Sequence, residues 1–131
     1  MNKINLENRV AIVTGGAQGF GLAITKRFIE SGARVLIWDK DTEYLNKVDL
    51  KNIQKIEVDV SNYKSVENAF AESLTHENKI DILINNAGIA GPNFKSWDYP
   101  LEEWQKVIDI DLTGVFYCCK TIVPHFIKNN Y

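Results

Sequence analysis

Apolar and polar positions along this chain follow two periods in turn. Val10-Ala11-Ile12-Val13 and Val35-Leu36-Ile37-Trp38 are unbroken apolar runs, the pattern of a strand covered on both faces. Lys55-Ile56-Glu57-Val58 and Ile82-Leu83-Ile84 predict two more strands. Between these runs apolar residues return every three or four positions, as on one side of a helix. A helix is predicted from Gly19 to Glu30, with Phe20, Ala23, Ile24 and Phe28 on one face. It stops at Ser31-Gly32, where Gly32 supplies a left-handed C-cap. A short polar helix covers Thr42 to Lys47. Ser61 or Asn62 caps a longer one whose inner face is Val66, Ala69, Phe70, Ser73 and Leu74, with Asn78 as its left-handed terminator. After a loop from Gly91 to Pro100, a last long helix starts near Pro100, with Glu102 and Glu103 suiting the positive end of its dipole. Trp104, Val107, Ile108, Val115, Phe116 and Cys119 continue its apolar stripe, and Pro124 should kink it by removing the bond to Lys120.

Strands alternating with helices across short joints predict an α/β fold with a parallel sheet and right-handed crossovers. At 131 residues, 45% hydrophobic and 24% charged, the chain is long enough for one domain with a real core, spanning residues 1–131, and not for two. Its formal charge of -2 gives no general attraction to nucleic acid or to an acidic membrane. Met1 to Val10 lack a signal-peptide layout, and no apolar run is long enough to span a bilayer. Cys118 and Cys119 are neighbours and read as reduced helix residues, so a cytoplasmic location is expected.

The chemistry concentrates where strands pass into helices. Thr14-Gly15-Gly16-Ala17-Gln18-Gly19-Phe20-Gly21 lies between the first strand and the first helix. Its glycines stand where backbone turns tightly and comes close to a neighbour, and unpaired amides at a helix start favour a pyrophosphate. The plain alternative is a flexible joint. Asp39, 18 positions beyond Gly21 and at the end of the second strand, can accept from the ribose hydroxyls of an adenosine. It would also repel a 2′-phosphate, favouring NAD over NADP; the alternative is a solvated turn aspartate. Lys40 beside it could soften that discrimination. Asp59 and Val60, at the end of the third strand, can offer a carboxylate to the adenine amino group and an N–H to a ring nitrogen, or Asp59 can serve as a helix cap. Asn85 and Asn86, read as buried at the end of the fourth strand, either tie strands together or, with Ala87 and Gly88, form a bed for ribose or nicotinamide. His76 and His125 show no ligand spacing and read as surface helix residues, no metal site is expected, and Trp97 and Trp104 read as packing or lid residues.

Together, Thr14-Gly15-x-x-x-Gly19-x-Gly21, Asp39, Asp59-Val60 and Asn85-Asn86-Ala87-Gly88 resemble the short-chain dehydrogenase/reductase family over essentially the whole chain. Within it the chain is similar to 3-oxoacyl-acyl-carrier-protein reductases and related sugar or hydroxysteroid dehydrogenases. The resemblance implies reversible hydride transfer between a nicotinamide cofactor and a small carbonyl or secondary-alcohol substrate. It implies that Gly15, Gln18, Gly19, Phe20 and Gly21 line the pyrophosphate, Asp39 the ribose, Asp59 and Val60 the adenine, and Asn86, Ala87 and Gly88 the nicotinamide side. Thr14 and Asn85 would support the sheet. Asp111, in Ile108-Asp109-Ile110-Asp111-Leu112-Thr113-Gly114, stands where the family has an asparagine that helps hold a water in the proton relay. A homo-oligomer pairing through the last helix is implied too.

The implied fold is a Rossmann-type doubly wound sheet of strand order 3-2-1-4, ending before a fifth strand. The family's serine and its Tyr-x-x-x-Lys helix would lie beyond the last residue, Tyr131, which has no lysine four positions on. Tuning a tyrosine from a pKa of ~10 to about 7 requires roughly 4 kcal/mol from its surroundings. The chain alone is therefore expected to bind cofactor without turnover, as a fragment or truncated product with Ile82–Ile84 as an apolar edge. A non-enzymatic nucleotide-binding or interaction protein is the competing reading. A methyltransferase or flavoprotein is disfavoured by the Asn-Asn-Ala-Gly segment and the glycine spacing.

Overall fold

A computed structural model describes residues 3–131. Four strands, β1 (Val10–Thr14), β2 (Arg34–Asp39), β3 (Ile53–Glu57) and β4 (Ile82–Ile84), form one parallel sheet in the order β3-β2-β1-β4. The helices are α1 (Gly19–Glu30), α2 (Thr42–Lys47), α3 (Tyr63–His76), α4 (Leu101–Ile108) and α5 (Gly114–Lys128). A 3-10 turn at Ser96–Asp98 interrupts the loop before α4, and a π-helical turn at Asp109–Thr113 joins α4 to α5. The alternation of strands and helices predicts the parallel α/β sheet, and its strand order is the doubly wound, Rossmann-type one that the family resemblance implies.

Strand pleating divides the core into two layers, because successive side chains point to opposite faces. Val10, Ile12, Leu36, Trp38, Ile56 and Val58 share one face with Val66 and Ala69 of α3 and Cys118 and Ile122 of α5. Ala11, Val13, Val35 and Ile37 share the other with Leu45 and Val48, against Leu22, Ile24 and Phe28 of α1. Trp38 is fully buried and satisfies its indole N–H by donating to Ser73 Oγ at 3.1 Å, which explains a serine on the inner face of α3. Burial of that kind stabilises by about 1.5–3 kcal/mol per large apolar side chain.

Several local expectations are corrected. On α1 the buried positions are Gly21 and Thr25, while Phe20 is 86% exposed and Ala23 faces solvent; small residues let the helix settle close to the turn before it. The cap of α3, expected at Ser61 or Asn62, is borne out at Asn62, which accepts from Ser65 N–H at 3.1 Å. α3 ends without a left-handed Asn78: Glu77 is extended, held by a two-pronged bond from Arg34 at 2.8 Å, which draws the chain away from the helix. On α5 Cys118 and Ile122 are buried and Phe116 is 59% exposed. The π turn adds about one residue to the helical count, rotating α5 by about a quarter turn from the stripe expected in an unbroken helix. The helix continues through Pro124 to Lys128, so the irregularity falls a full turn and more before the proline. His125 is half-buried rather than superficial, with Nε2 accepting from Ile80 N–H at 3.0 Å and its ring edge-on to Phe70. Burial pushes the Cys118 thiol up to about 12, with a smaller push from Cys119, so it stays protonated at neutral pH. Among the described residues no helix is long and apolar enough to cross a membrane.

Candidate functional site

All four strands point their carboxyl ends to one edge of the sheet, and a cleft of about 780 Å³ opens there. Its lining includes Gly15, Gln18 and Phe20 from the first crossover, Asp39 from β2, Asp59 and Val60 after β3, and Asn86, Ala87 and Gly88 after β4. The residues singled out from the sequence thus meet in one place. Gly19 and Gly21 belong to the turn but not to the cleft wall, and Asp111 sits just behind the β4 side.

The turn after β1 is built by backbone. Gly15 N–H donates to Trp38 O at 2.7 Å, stitching the turn to the end of β2. Gly21 packs so closely beneath it that a Cβ there would stand 2.1 Å from Gly15 O. Gly19 has φ +54 and a Cβ would meet nothing within 4 Å, so its place demands a left-handed residue that faces open space. α1 then begins at Gln18 with no side-chain cap and no acidic residue in its first turn. The helices after β2 and β3 are capped, α2 by Asp41 and α3 by Asn62. Only the glycine turn, among these three strand-to-helix joints, leaves its helix amides free for an outside acceptor.

Asp39 is 8% exposed, with Oδ2 accepting from Ala17 N–H at 3.1 Å and Oδ1 from Asp41 N–H at 3.0 Å. A carboxylate has about four acceptor sites, so roughly two remain for hydroxyl donors in the cleft. Asp59 is held in an Asx turn: Oδ1 accepts from Ser61 N–H at 3.0 Å and from Ser61 Oγ at 2.6 Å, while Oδ2 lies 3.3 Å from Lys40 Nζ. Partial burial opposes its ionisation, but the Ser61 bonds and Lys40 outweigh it, holding the carboxyl below its ordinary value. Asp59 is therefore a turn-forming aspartate with one edge turned to the cleft; the helix-cap role expected as its alternative belongs to Asn62. The spacing Asp59-x-Ser61 carries that turn signal.

The β4 side is tied to β1 by two side chains. Thr14 Oγ1 accepts from the N–H groups of Asn86 and Ala87 at 2.9 and 3.0 Å and donates to Ile84 O at 3.3 Å. Asn86 Nδ2 donates back to Thr14 O and Gly15 O at 3.0 and 3.1 Å. Asn85, by contrast, is exposed, its amide only 3.5 Å from Cys119 Sγ, which corrects the expectation of two buried asparagines. Asp111 Oδ1 accepts from Ile89 N–H at 2.9 Å, anchoring the loop after Gly88 to the π turn. Ile110 and Val58 also line the cleft, and no sequence signal marked them. Among the described residues no cluster of His, Cys, Asp and Glu could hold a metal ion.

Comparison with known proteins agrees with this geometry. A family model described as short chain dehydrogenase matches residues 9–131. A 2-dehydro-3-deoxy-L-rhamnonate dehydrogenase (NAD(+)) of Sphingomonas sp. (strain SKA58) is 38% identical over 125 residues, covering 94% of this chain and 50% of the relative. A probable NADP-dependent mannitol dehydrogenase of Yarrowia lipolytica is 38% identical over 141 residues, covering 100% and 50%. Among solved structures, 3-ketoacyl-(acyl-carrier-protein) reductase of Brucella melitensis complexed with NADH superposes with a TM-score of 0.92 at 32% identity, over 95% of this chain and 53% of that one. The chain spans about half the length of the curated relatives it matches. With its motifs in order along the sequence and gathered at one sheet edge, the chain belongs to the short-chain dehydrogenase family.

Proposed function

We propose that this chain supplies the dinucleotide-binding part of an oxidoreductase that moves a hydride between NAD(H) and a carbonyl or secondary alcohol. The observation that carries the reading is the uncapped start of α1 beneath an open glycine turn, at the sheet edge where Asp39 keeps free acceptor sites. The residues present fit a nicotinamide dinucleotide. Gly15, Gln18, Gly19, Phe20 and Gly21 form the turn for the pyrophosphate, whose charge the helix dipole favours. Asp39 accepts from the ribose hydroxyls, Asp59 and Val60 face the adenine, and Asn86, Ala87 and Gly88 flank the nicotinamide. Bound there, the cofactor supplies the hydride-accepting or hydride-donating ring. Asp111 acts as a positioning group: through Ile89 N–H it holds the loop after Gly88.

NAD is favoured over NADP because a 2′-phosphate would meet the Asp39 carboxylate in a partly desolvated cleft, a like-charge contact costing on the order of 1–3 kcal/mol. The relatives carry both preferences, one named for NAD(+) and one for NADP at the same 38% identity, so local charge has to decide. The substrate class is a small carbonyl compound, with a 3-oxoacyl thioester or a sugar-derived alcohol as the leading candidates by similarity. Full-length assembly as a homo-oligomer through α5 is part of the same proposal, and the exposed Phe116 and Ile127 leave apolar surface there.

Titrating the purified protein with NADH while following backbone amides by NMR tests the reading. Shifts should centre on Gly15 to Gly21 and Asn86 to Gly88, and Asp39→Ala should weaken NADH by about tenfold and lose or reverse the preference over NADPH. NADH that leaves the turn amides unmoved overturns it.

A further inference from the structure

We propose that Asp59 sets cofactor preference through Lys40, by holding that lysine's ammonium away from the place a ribose 2′-phosphate would occupy. The inference rests on the dinucleotide reading and adds a second specificity element to Asp39. Among the described residues lining the cleft, Lys40 is the only cation, beside the carboxylates Asp39, Asp41, Glu43 and Asp59. Lys40 comes directly after Asp39 in the chain, so it starts from the spot where a 2′-phosphate and Asp39 would meet. Free to turn there, its ammonium would offset the repulsion that Asp39 provides.

The other carboxylates are not paired with Lys40. Asp39 is oriented by Ala17 and Asp41 N–H groups, with its remaining acceptor sites toward the ribose hydroxyls. Asp41 accepts from Tyr44 N–H as the α2 cap, and Glu43 lies 3.6 Å from Lys47 Nζ. Asp59 is the one that presents a fixed, unshared edge: Ser61 clamps Oδ1 from two sides, and Oδ2 stands 3.3 Å from Lys40 Nζ. The lysine side chain is 70% exposed and flexible, so a weak pair of this kind decides where its charge spends most time without locking it. Asp59 is a positioning residue for Lys40 in this scheme; its place beside the adenine affects both cofactors alike, so only the ratio of their affinities reads the effect on the phosphate.

The test compares dissociation constants for NADH and NADPH in the parent and three variants at low salt. Asp59→Asn keeps an oxygen for Ser61 but cannot pair with Lys40; it should shift the ratio of the two constants toward NADPH by about fivefold. The double variant Asp59→Asn/Lys40→Ala carries the parental net charge and should return the ratio to the parent's. Lys40→Ala alone should move the ratio by less than about twofold, and it serves if Asp59→Asn does not fold. A shift that persists in the double variant shows the carboxylate acting by its own charge, and a large shift in Lys40→Ala shows the lysine already engaged; either overturns the inference while leaving the dinucleotide reading intact. A parent that binds neither cofactor defeats that reading and the inference with it.

Discussion

At the β2–β3 end of the cleft the polar side chains are fastened to nearby backbone, whereas at the β4 end they are fastened across the sheet. Asp39 and Asp59 are oriented by N–H groups two residues onward, at Asp41 and Ser61, and Asp39 also by Ala17 in the neighbouring turn. Such contacts form with local chain geometry and recur wherever the same short motif does. Asn86 and Thr14, in contrast, clasp each other across some seventy positions of sequence. Beyond Gly88 the wall loosens into a loop with Phe94 and Trp97 exposed. One end is a set of self-contained turns, and the other exists only once distant segments have met.

The glycine turn and the β4 tether meet at Gly21, so a change there should do the most severe damage. Gly21→Ala would drive a methyl into Gly15 O and Asn86 Nδ2, which a Cβ would approach to 2.1 and 2.5 Å. A loss of about 3 kcal/mol or more is expected, read by urea denaturation, together with loss of NADH binding. Thr14→Val attacks the β4 end alone. It strips the N–H groups of Asn86 and Ala87 of their acceptor, with an expected loss of about 2 kcal/mol, and Thr14→Ser should recover most of it. If Thr14→Val also moves the amides around Asp39 and Asp59, the two ends are less separate than their hydrogen bonds imply. Trp97→Ala should matter least: at 77% exposure its removal should change stability by about 0.5 kcal/mol or less, checked by the same denaturation.

The same contrast governs what could be read from residues alone. The strands, the α1 boundaries and the places of Asp39 and Asp59 were legible because apolar runs, glycine spacing and strand ends are local signals, whereas the strand order followed from the family resemblance. The π turn at Asp109–Thr113 was not, since it is a change in backbone hydrogen-bond register that no side chain announces, and it displaced the buried stripe of α5 onto Cys118 and Ile122. Glu77 rather than Asn78 sets the end of α3 because its partner, Arg34, lies 43 positions away. Asn85 and Asn86 look alike in sequence, and only the position of Thr14 across the sheet separates the tether from its exposed neighbour.

The clasp between Asn86 and the two carbonyls of Thr14 and Gly15 also imposes an order on biogenesis. As the polypeptide leaves the ribosome, the first crossover can coil and the second strand can pair, yet those carbonyls stay hydrated until synthesis has passed Asn86. Closing that long loop is slow relative to local coiling, so the last event to seat the turn comes from the far side of the sheet. A nascent chain short of that residue carries the glycine signature without the finished nest.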